Sequence, residues 1–277
     1  MSSKAVAWTL LAALAFATVL LFNYWAAYQP LSTIAYTGIV LALCGLANLA
    51  IPFRFLGIRK RAAGALFLVG GVALTLVALS WPAKSVHVTQ ATTRLDAIMP
   101  EYQFSERHST RIHARPEQVM EAVRQSRFGD MASMVTLMKI RAVALRIHHP
   151  DDSFPNMRVL DAFSLSGWTS GGNEHEIVMA GGANARAGRP LQPHSLQEFA
   201  DYREPGAVKM AFNFTADDAG DGWSTVTTET RVFATDDSTR RGMGRYWRLI
   251  VPGSGLLRRQ WLDSIKTKAE SMPVTKS

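Results

Sequence analysis

Three long stretches without a charged residue occupy the first third of this 277-residue chain. They cover residues 5–27, 31–52 and 62–82, and each has about the 20 residues that a hydrocarbon layer of about 30 Å requires. Because a bilayer offers no water to backbone amides, each stretch is predicted to be a helix. Residues 1–83 are therefore predicted to form a three-span transmembrane anchor, which would make the chain an integral membrane protein.

Basic residues indicate how these spans are oriented. Lys4 precedes the first span and four Lys or Arg residues lie between the second and third, whereas the connection around Tyr28 has none. Since positively charged loops tend to stay in the cytoplasm, the chain after residue 83 is expected on the extracytoplasmic side of a plasma or inner membrane. The three stretches contain no ionisable acid, base or histidine, which argues against an ion pump or a proton-coupled transporter.

The net charge of +8 raises nucleic acid as a partner. Five of the positive charges, however, lie at the membrane boundaries within residues 1–83, where the orientation of the spans explains them. No nucleic-acid binding is therefore expected. The C-terminal segment has further basic residues, which would face anionic lipid headgroups or solvent. They are Arg240, Arg241, Arg245, Arg248, Arg258, Arg259, Lys266 and Lys268.

A change of pattern separates the anchor from a soluble domain. Residues 84–100 form a polar connector, and alternation over residues 104–114 then predicts a strand. Arg115-Pro116-Glu117 is typical of a helix start, because proline suits the first turn. A second helix is predicted over residues 131–144, where apolar residues recur at helical spacing.

The remaining residues predict strands followed by a long helix. Turn-forming residues separate five candidate strands, at 158–165, 174–180, 195–202, 208–215 and 224–235. A helix is predicted over residues 236–270, with a break at residues 251–255 because they contain proline and glycine. Its apolar stripe has to be buried, and one face of the sheet is the natural partner. We therefore predict an α+β domain over residues 101–271, with a curved antiparallel sheet around a long C-terminal helix, and a tail at residues 272–277.

Two short segments of this domain resemble a known superfamily. His113–Val119 is similar to the first strand-to-helix junction of the START-related, polyketide cyclase-like helix-grip domains (SRPBCC), and Thr227–Val232 to their last strand. The resemblance covers roughly residues 102–271 and does not include the anchor. It implies a curved sheet that grips the long helix around an apolar cavity. Such domains bind lipids, sterols, polyketides or other apolar ligands, and a minority are enzymes.

Four polar residues are candidates for chemistry. Glu106 and His108 alternate on the first strand, and Glu229 and Arg231 alternate on the last. The resemblance implies that these strands pair, so the four side chains would cluster either in the cavity or on the solvent side. In the cavity, Glu106, His108 and Glu229 would be acid–base groups. On the solvent side, the four would form a salt-linked surface.

The preferred interpretation is a membrane-anchored binding domain for a hydrophobic small molecule or lipid. The ligand would leave the bilayer for the cavity, where methionine and aromatic side chains suit an apolar molecule. The predicted lining residues are Met120, Met134, Met138, Phe212, Phe214, Arg231 and Trp247. Two alternatives stay open: a cyclase- or hydrolase-type enzyme on an apolar substrate, and a membrane-tethered assembly protein without a ligand.

Neither a metal nor a cofactor is predicted. The one cysteine, Cys44, lies in the second hydrophobic stretch, so the soluble domain has no thiolate ligand. His148, His149, Asp151 and Asp152 are close in sequence, but adjacent residues rarely face one metal ion. These four residues are better explained as a solvated loop.

Overall fold

The structure is a computed structural model that describes Ala17 and residues 29–50, 61–145 and 153–273. The chain divides into two compact units. The first comprises Met1–Pro82 and Gly244–Pro252, and the second comprises Ala83–Met243 and Gly253–Ser277.

Two helices of the first unit are long and apolar enough to cross a membrane: α1 (Pro30–Ala50) and α2 (Arg61–Ser80). They match the helices predicted over residues 31–52 and 62–82. The first predicted span, residues 5–27, lies outside the described residues except for Ala17. Two candidate spans are thus found among the described residues, and the third stays a prediction.

Glycines allow α1 and α2 to pack closely. A Cβ atom added to Gly45 would lie 2.3 Å from the backbone nitrogen of Leu68, and one added to Gly71 would lie 2.4 Å from that of Ala42. Either distance is too short for non-bonded atoms, so a side chain at these positions would force the helices apart. Small residues commonly provide such contacts between membrane helices, because packing replaces the hydrophobic effect there.

An arginine from the C-terminal helix caps α2 within the first unit. Arg248 donates hydrogen bonds to the carbonyl oxygens of Leu79 (2.8 Å) and Trp81 (2.6 Å). The last carbonyls of a helix lack partners in their own helix, and a positive charge at that end is favourable. Burial lowers the pKa of Arg248 from its usual value. In the same unit, the Tyr36 hydroxyl donates to the carbonyl of Leu249.

The second unit contains two antiparallel sheets. β1 (Val86–His87) pairs with β2 (Glu101–Tyr102), and six further strands form a curved sheet. The order in the large sheet is β3-β8-β7-β5-β4, and β6 pairs with β5. Its strands are β3 (Phe104–Ile112), β4 (Thr169–Gly172), β5 (Glu176–Asn184), β6 (Arg189–Leu191), β7 (Ala207–Asp218) and β8 (Ser224–Ala234).

Among the described residues of this unit, six α-helices accompany the strands, and the last is the longest. It contributes Gly244–Pro252 to the first unit and its other residues to the second. The helices are α3 (Arg94–Ile98), α4 (Pro116–Gln125), α5 (Met134–Leu145), α6 (Val159–Leu165), α7 (Leu196–Asp201) and α8 (Asp237–Ser271). The predicted α+β class, with a curved antiparallel sheet and a long C-terminal helix, is confirmed.

Two predicted strands are wrong, because residues 158–165 and 195–202 form the helices α6 and α7. In α7, the Ser195 hydroxyl accepts a hydrogen bond from the backbone of Glu198 (3.1 Å), which is the helix start typical of a Ser-x-x-Glu sequence. In α6, Leu160 and Phe163 lie three residues apart and pack against the same apolar cluster. Each segment thus contains a local helix signal, although the alternation of its apolar and polar residues also fits a strand.

The predicted break at residues 251–255 is also wrong, because α8 continues through Pro252. Proline has no N–H to give to the carbonyl of Arg248, and it costs about 3 kcal/mol inside a helix. Val251 and Trp261 lie on either side of Pro252, and both are buried. Burial of apolar residues along α8 therefore outweighs the local cost.

Apolar residues cover both faces of the large sheet. We call one the α8 face: there Phe212 and Phe214 pack in a cluster that includes Trp261 of α8. We call the other the α3 face: there Val178 packs in a cluster with Leu95 of α3, and α7 contributes to the same cluster. Successive residues of β5, such as Ile177 and Val178, therefore point to two different buried layers.

Candidate functional site

A buried polar cluster lies on the α8 face. Antiparallel pairing places Glu106 opposite Thr230 and His108 opposite Thr228, and directly opposed residues share one face of a sheet. Val226, two residues before Thr228, belongs to the apolar cluster of the α8 face, so alternation places these polar residues there too. Glu106 and His108 are only 3% and 7% exposed.

Both carboxylate oxygens of Glu106 have a partner. His108 Nε2 lies 2.7 Å from one oxygen, and the Ser254 hydroxyl of α8 donates to the other at 2.6 Å. The serine contacts the carboxylate and not the imidazole, which differs from the arrangement of a Ser–His–acid nucleophile. The Glu106–His108 pair is instead suited to holding a proton or to orienting a polar group.

Arg258, one helical turn after Ser254, extends from α8 to β8, the strand that pairs with β3. Its Nη2 donates to the Thr230 hydroxyl at 2.7 Å, and its Nη1 lies 3.4 Å from the Thr228 hydroxyl. No carboxylate of the described residues lies within 4 Å of its guanidinium group. The charge of Arg258 is thus held by neutral hydroxyl groups.

The surroundings of Arg258 are largely apolar. Its guanidinium carbon lies 4.7 Å from the centre of the Phe212 ring and 5.3 Å from that of Trp261, within the range of cation–π interactions. Burial lowers the pKa of Arg258 to about 10, while the negative charge of Glu106 acts in the opposite direction. Arg258 therefore keeps its charge at neutral pH and can donate charge-assisted hydrogen bonds to an acceptor.

Aromatic rings form one wall of the site. The ring of Phe212 lies 5.9 Å from that of Trp261, and the rings of Phe214 and Trp261 are 4.6 Å apart. The wall continues to Phe163 and Trp168, whose rings are 4.9 Å and 5.8 Å from Phe212. This arrangement places a polar cluster beside an extended aromatic surface.

Five of the predicted lining residues lie in this region. Met120, Met134, Phe212 and Phe214 are buried in the apolar cluster of the α8 face, and Met138 packs against it. The structure therefore groups the predicted methionines and phenylalanines, although they are also the core of the domain.

Two other predicted lining residues lie elsewhere. Trp247 is buried in the segment Gly244–Pro252, which belongs to the first unit. Arg231 is on the α3 face, where it pairs across the sheet with Ala211 of the second apolar cluster. Neither residue joins the polar cluster around Glu106.

The four polar residues that the sequence placed together are thus divided between the two faces. Glu229 pairs with Arg107 and not with Glu106 in the register of β3 and β8, so it lies on the α3 face with Arg231. A salt-linked arrangement does form there, but it is buried and it includes a residue from the connector. Arg231 donates to Asp96 at 2.7 Å and to Glu229 at 2.6 Å.

The network on the α3 face is well satisfied. Arg231 also donates to the carbonyl of Met99 at 3.2 Å and lies 4.7 Å from the centre of the Tyr102 ring. Burial alone would raise the pKa of Asp96, but hydrogen bonds from Thr92, Arg231 and Thr93 hold that pKa well below its usual value. Burial likewise opposes the charge of Arg231, while its two carboxylate partners raise its pKa.

A second carboxylate fixes α3 to the same face. Glu176 accepts hydrogen bonds from the backbone of Arg94 (2.7 Å) and Leu95 (3.3 Å), and from the side chain of Asn213 (2.8 Å). The backbone N–H groups of Arg94 and Leu95 belong to the first turn of α3, where they have no acceptor within the helix. Residues 84–100, predicted as a connector, therefore contain a helix that is bound to the sheet.

Sequence reasoning missed several residues of the polar cluster. Thr228 and Thr230 carried no signal beyond strand alternation. Ser254 and Arg258 are four residues apart, the spacing that places side chains on one face of a helix. A helix break at residues 251–255 would separate Ser254 from Arg258, so the sequence pattern does not relate them. It predicts instead that Arg258 faces lipid headgroups or solvent.

An open groove of about 550 Å³ lies along another side of α8. It is lined mainly by polar side chains, among them Asp130, Gln260 and Lys268. Within the described part of the chain, no group of three or more His, Cys, Asp or Glu residues is arranged to hold a metal ion. His148, His149, Asp151 and Asp152 lie outside the described residues.

A comparison with protein-family models, with curated proteins and with solved structures finds no match to this chain.

Proposed function

We propose that this chain is a membrane-anchored binding domain, of the helix-grip type, for a hydrophobic small molecule or lipid with a polar end. The observation that carries the proposal is the environment of Arg258. Among the described residues, the hydrogen-bond partners of its guanidinium group are the neutral hydroxyls of two threonines, and the group lies beside Phe212 and Trp261. Even a partly buried charge is costly unless it is paired, so a bound acceptor group would complete this site.

In the proposed complex, the apolar part of the ligand lies against Phe212 and Trp261, and its polar end accepts hydrogen bonds from Arg258. Apolar surface removed from water contributes ~25 cal/mol per Å². A hydrogen bond to a charged group adds about 1.5–3 kcal/mol. The candidate spans α1 and α2 keep the domain at the bilayer from which an apolar ligand partitions.

Native mass spectrometry of the full chain, released from detergent and followed by lipid extraction, tests this proposal. The wild-type protein is expected to carry an apolar molecule, and Arg258→Met is expected to reduce its occupancy at least about tenfold. Lys266→Met, at a half-exposed site on the same helix, is the matched control and should retain the ligand. An apo mass for the wild type, without uptake from a panel of lipids and polyketides, would support an assembly protein instead.

The Glu106–His108 pair favours a second candidate function, a cyclase- or hydrolase-type enzyme that acts on the same class of molecule. A buried carboxylate 2.7 Å from an imidazole is a suitable acid–base pair. Glu229 would not take part, because it lies on the α3 face. With Glu106→Gln, an enzyme should accumulate its unreacted substrate, whereas a carrier should extract the same molecule as the wild type.

We also propose that the domain lies on the extracytoplasmic side of the plasma or inner membrane. The distribution of Lys and Arg around the three predicted spans supports this side. A cysteine at Ala219, an exposed residue between β7 and β8, should react in intact cells with a maleimide that does not cross membranes. Protection of that cysteine until the cells are lysed would place the domain in the cytoplasm.

A further inference from the structure

The helix α5 carries apolar residues on more than one side. Its sequence, MVTLMKIRAVAL, contains nine apolar residues among twelve. Helices at the surface of soluble domains normally bury one apolar stripe and expose a polar one. In α5 the buried side is occupied by Met134 and Ala142, and apolar residues remain on the other side.

Two large apolar side chains of α5 are in contact with solvent. Ile140 is 58% exposed and Val143 is 65% exposed. They are three residues apart and therefore share one face of the helix. Neighbouring exposed apolar residues on an otherwise packed domain typically mark a contact with a partner or a membrane.

The charges of α5 favour a membrane over a protein as the partner of this surface. The helix contains Lys139 and Arg141 and no acidic residue. Apolar side chains combined with basic ones are typical of helices that lie in the interface of a membrane with anionic lipids. A membrane partner is available to the domain through its own anchor, because only five residues separate the end of the candidate span α2 at Ser80 from β1 at Val86.

We infer that the face of α5 formed by Ile140 and Val143 inserts into the interfacial layer of the membrane that holds α1 and α2. The anchor keeps this face at a high local concentration relative to the bilayer, so a weak contact is sufficient. This inference depends on the membrane anchoring and is independent of ligand binding. It gives α5 two roles, since Met134 on its opposite side packs in the apolar cluster of the α8 face.

Fluorescence of single-cysteine variants of the full chain tests the inference. Cys44, the only cysteine, is first replaced by alanine. Cysteines at Ile140 and at Val143 are then labelled with an environment-sensitive fluorophore, and the protein is reconstituted in nanodiscs of phosphatidylcholine and phosphatidylglycerol. The side chains of Ile140 and Val143 are exposed, so these two replacements should leave folding unaffected. Ala219→Cys, in the exposed turn between β7 and β8, is the matched control.

The labels at residues 140 and 143 are expected to shift to shorter wavelengths in nanodiscs and to lose most of their fluorescence to a nitroxide carried by the lipid. The label at residue 219 should show neither effect. Labels at 140 and 143 that stay exposed to water would overturn the inference. Shielding that depends on protein concentration, without quenching by the lipid nitroxide, would also overturn it and would indicate a second copy of the chain.

Discussion

The two faces of the large sheet both bury charged groups, but they satisfy them differently. On the α3 face, Arg231 contacts two carboxylates, a carbonyl and an aromatic ring, and Glu176 accepts three hydrogen bonds. On the α8 face, Arg258 has two threonine hydroxyls and no carboxylate among the described residues within 4 Å.

This difference separates a structural network from a candidate binding site. On the α3 face, Arg231 compensates the charges of Asp96 and Glu229, and Glu176 fixes α3 of the connector to the sheet. The charge of Arg258 is compensated only in part, by Glu106 at longer range. An apolar residue beside the aromatic wall would avoid the cost of desolvating such a charge.

Arg231→Met should produce the largest effect. It leaves Asp96 and Glu229 buried without their shared counter-charge, and we expect a loss of about 4 kcal/mol in the free energy of unfolding. Urea unfolding of the second unit in the full chain, followed by tryptophan fluorescence, measures it. Arg107→Met is the control, because the exposed Arg107 side chain lies 4.0 Å from Glu229 and should contribute less than about 1 kcal/mol. Equal losses in the two variants would contradict a buried network.

Arg258→Met should have a much smaller effect on stability than Arg231→Met. It removes a partly buried charge that has no carboxylate partner among the described residues, so we expect a change of no more than about 1 kcal/mol in either direction. The same urea experiment measures it. A loss as large as that of Arg231→Met would show that Arg258 is a structural residue and would remove the main support for a ligand site.

Lys209 is a buried charged residue of the α3 face, and its pH dependence tests whether the hydrogen bonds there offset the cost of burying its charge. It donates to the carbonyl of Ala200 at 2.8 Å, and burial lowers its pKa from 10.5 to about 8. Between these pH values the unfolded chain binds the proton more strongly than the folded one, so the destabilisation caused by Lys209 is complete below pH 8 and is relieved as the pH rises toward 10.5.

Over that range, the wild type should gain stability relative to Lys209→Met. Urea unfolding at several pH values measures the difference between the two proteins. Lys266→Met, which removes a lysine whose side chain is 40% exposed, should show no comparable trend. A constant difference between wild type and Lys209→Met would indicate that water reaches Lys209 in the folded state.

Local sequence patterns predicted much of the fold. The helices α1, α2 and α4 and the strands β3, β7 and β8 lie close to their predicted positions, because hydrophobic length, a proline in the first turn and long alternation are local signals. The type of a short element is harder to predict from local sequence. The segments that form α6 and α7 have six or seven residues, over which strand and helix periods are hard to distinguish.

By itself, the sequence determined that Glu106 and His108 share one face of a strand, and that Glu229 and Arg231 share one face of another, because side chains alternate along any strand. Only the tertiary structure decided that the two pairs lie on opposite faces. Register comes from pairing between residues that are more than a hundred positions apart, and a shift of one residue would exchange the faces. The same long-range packing brings Asp96 to Arg231 and carries α8 through Pro252, where the local preference alone would end the helix.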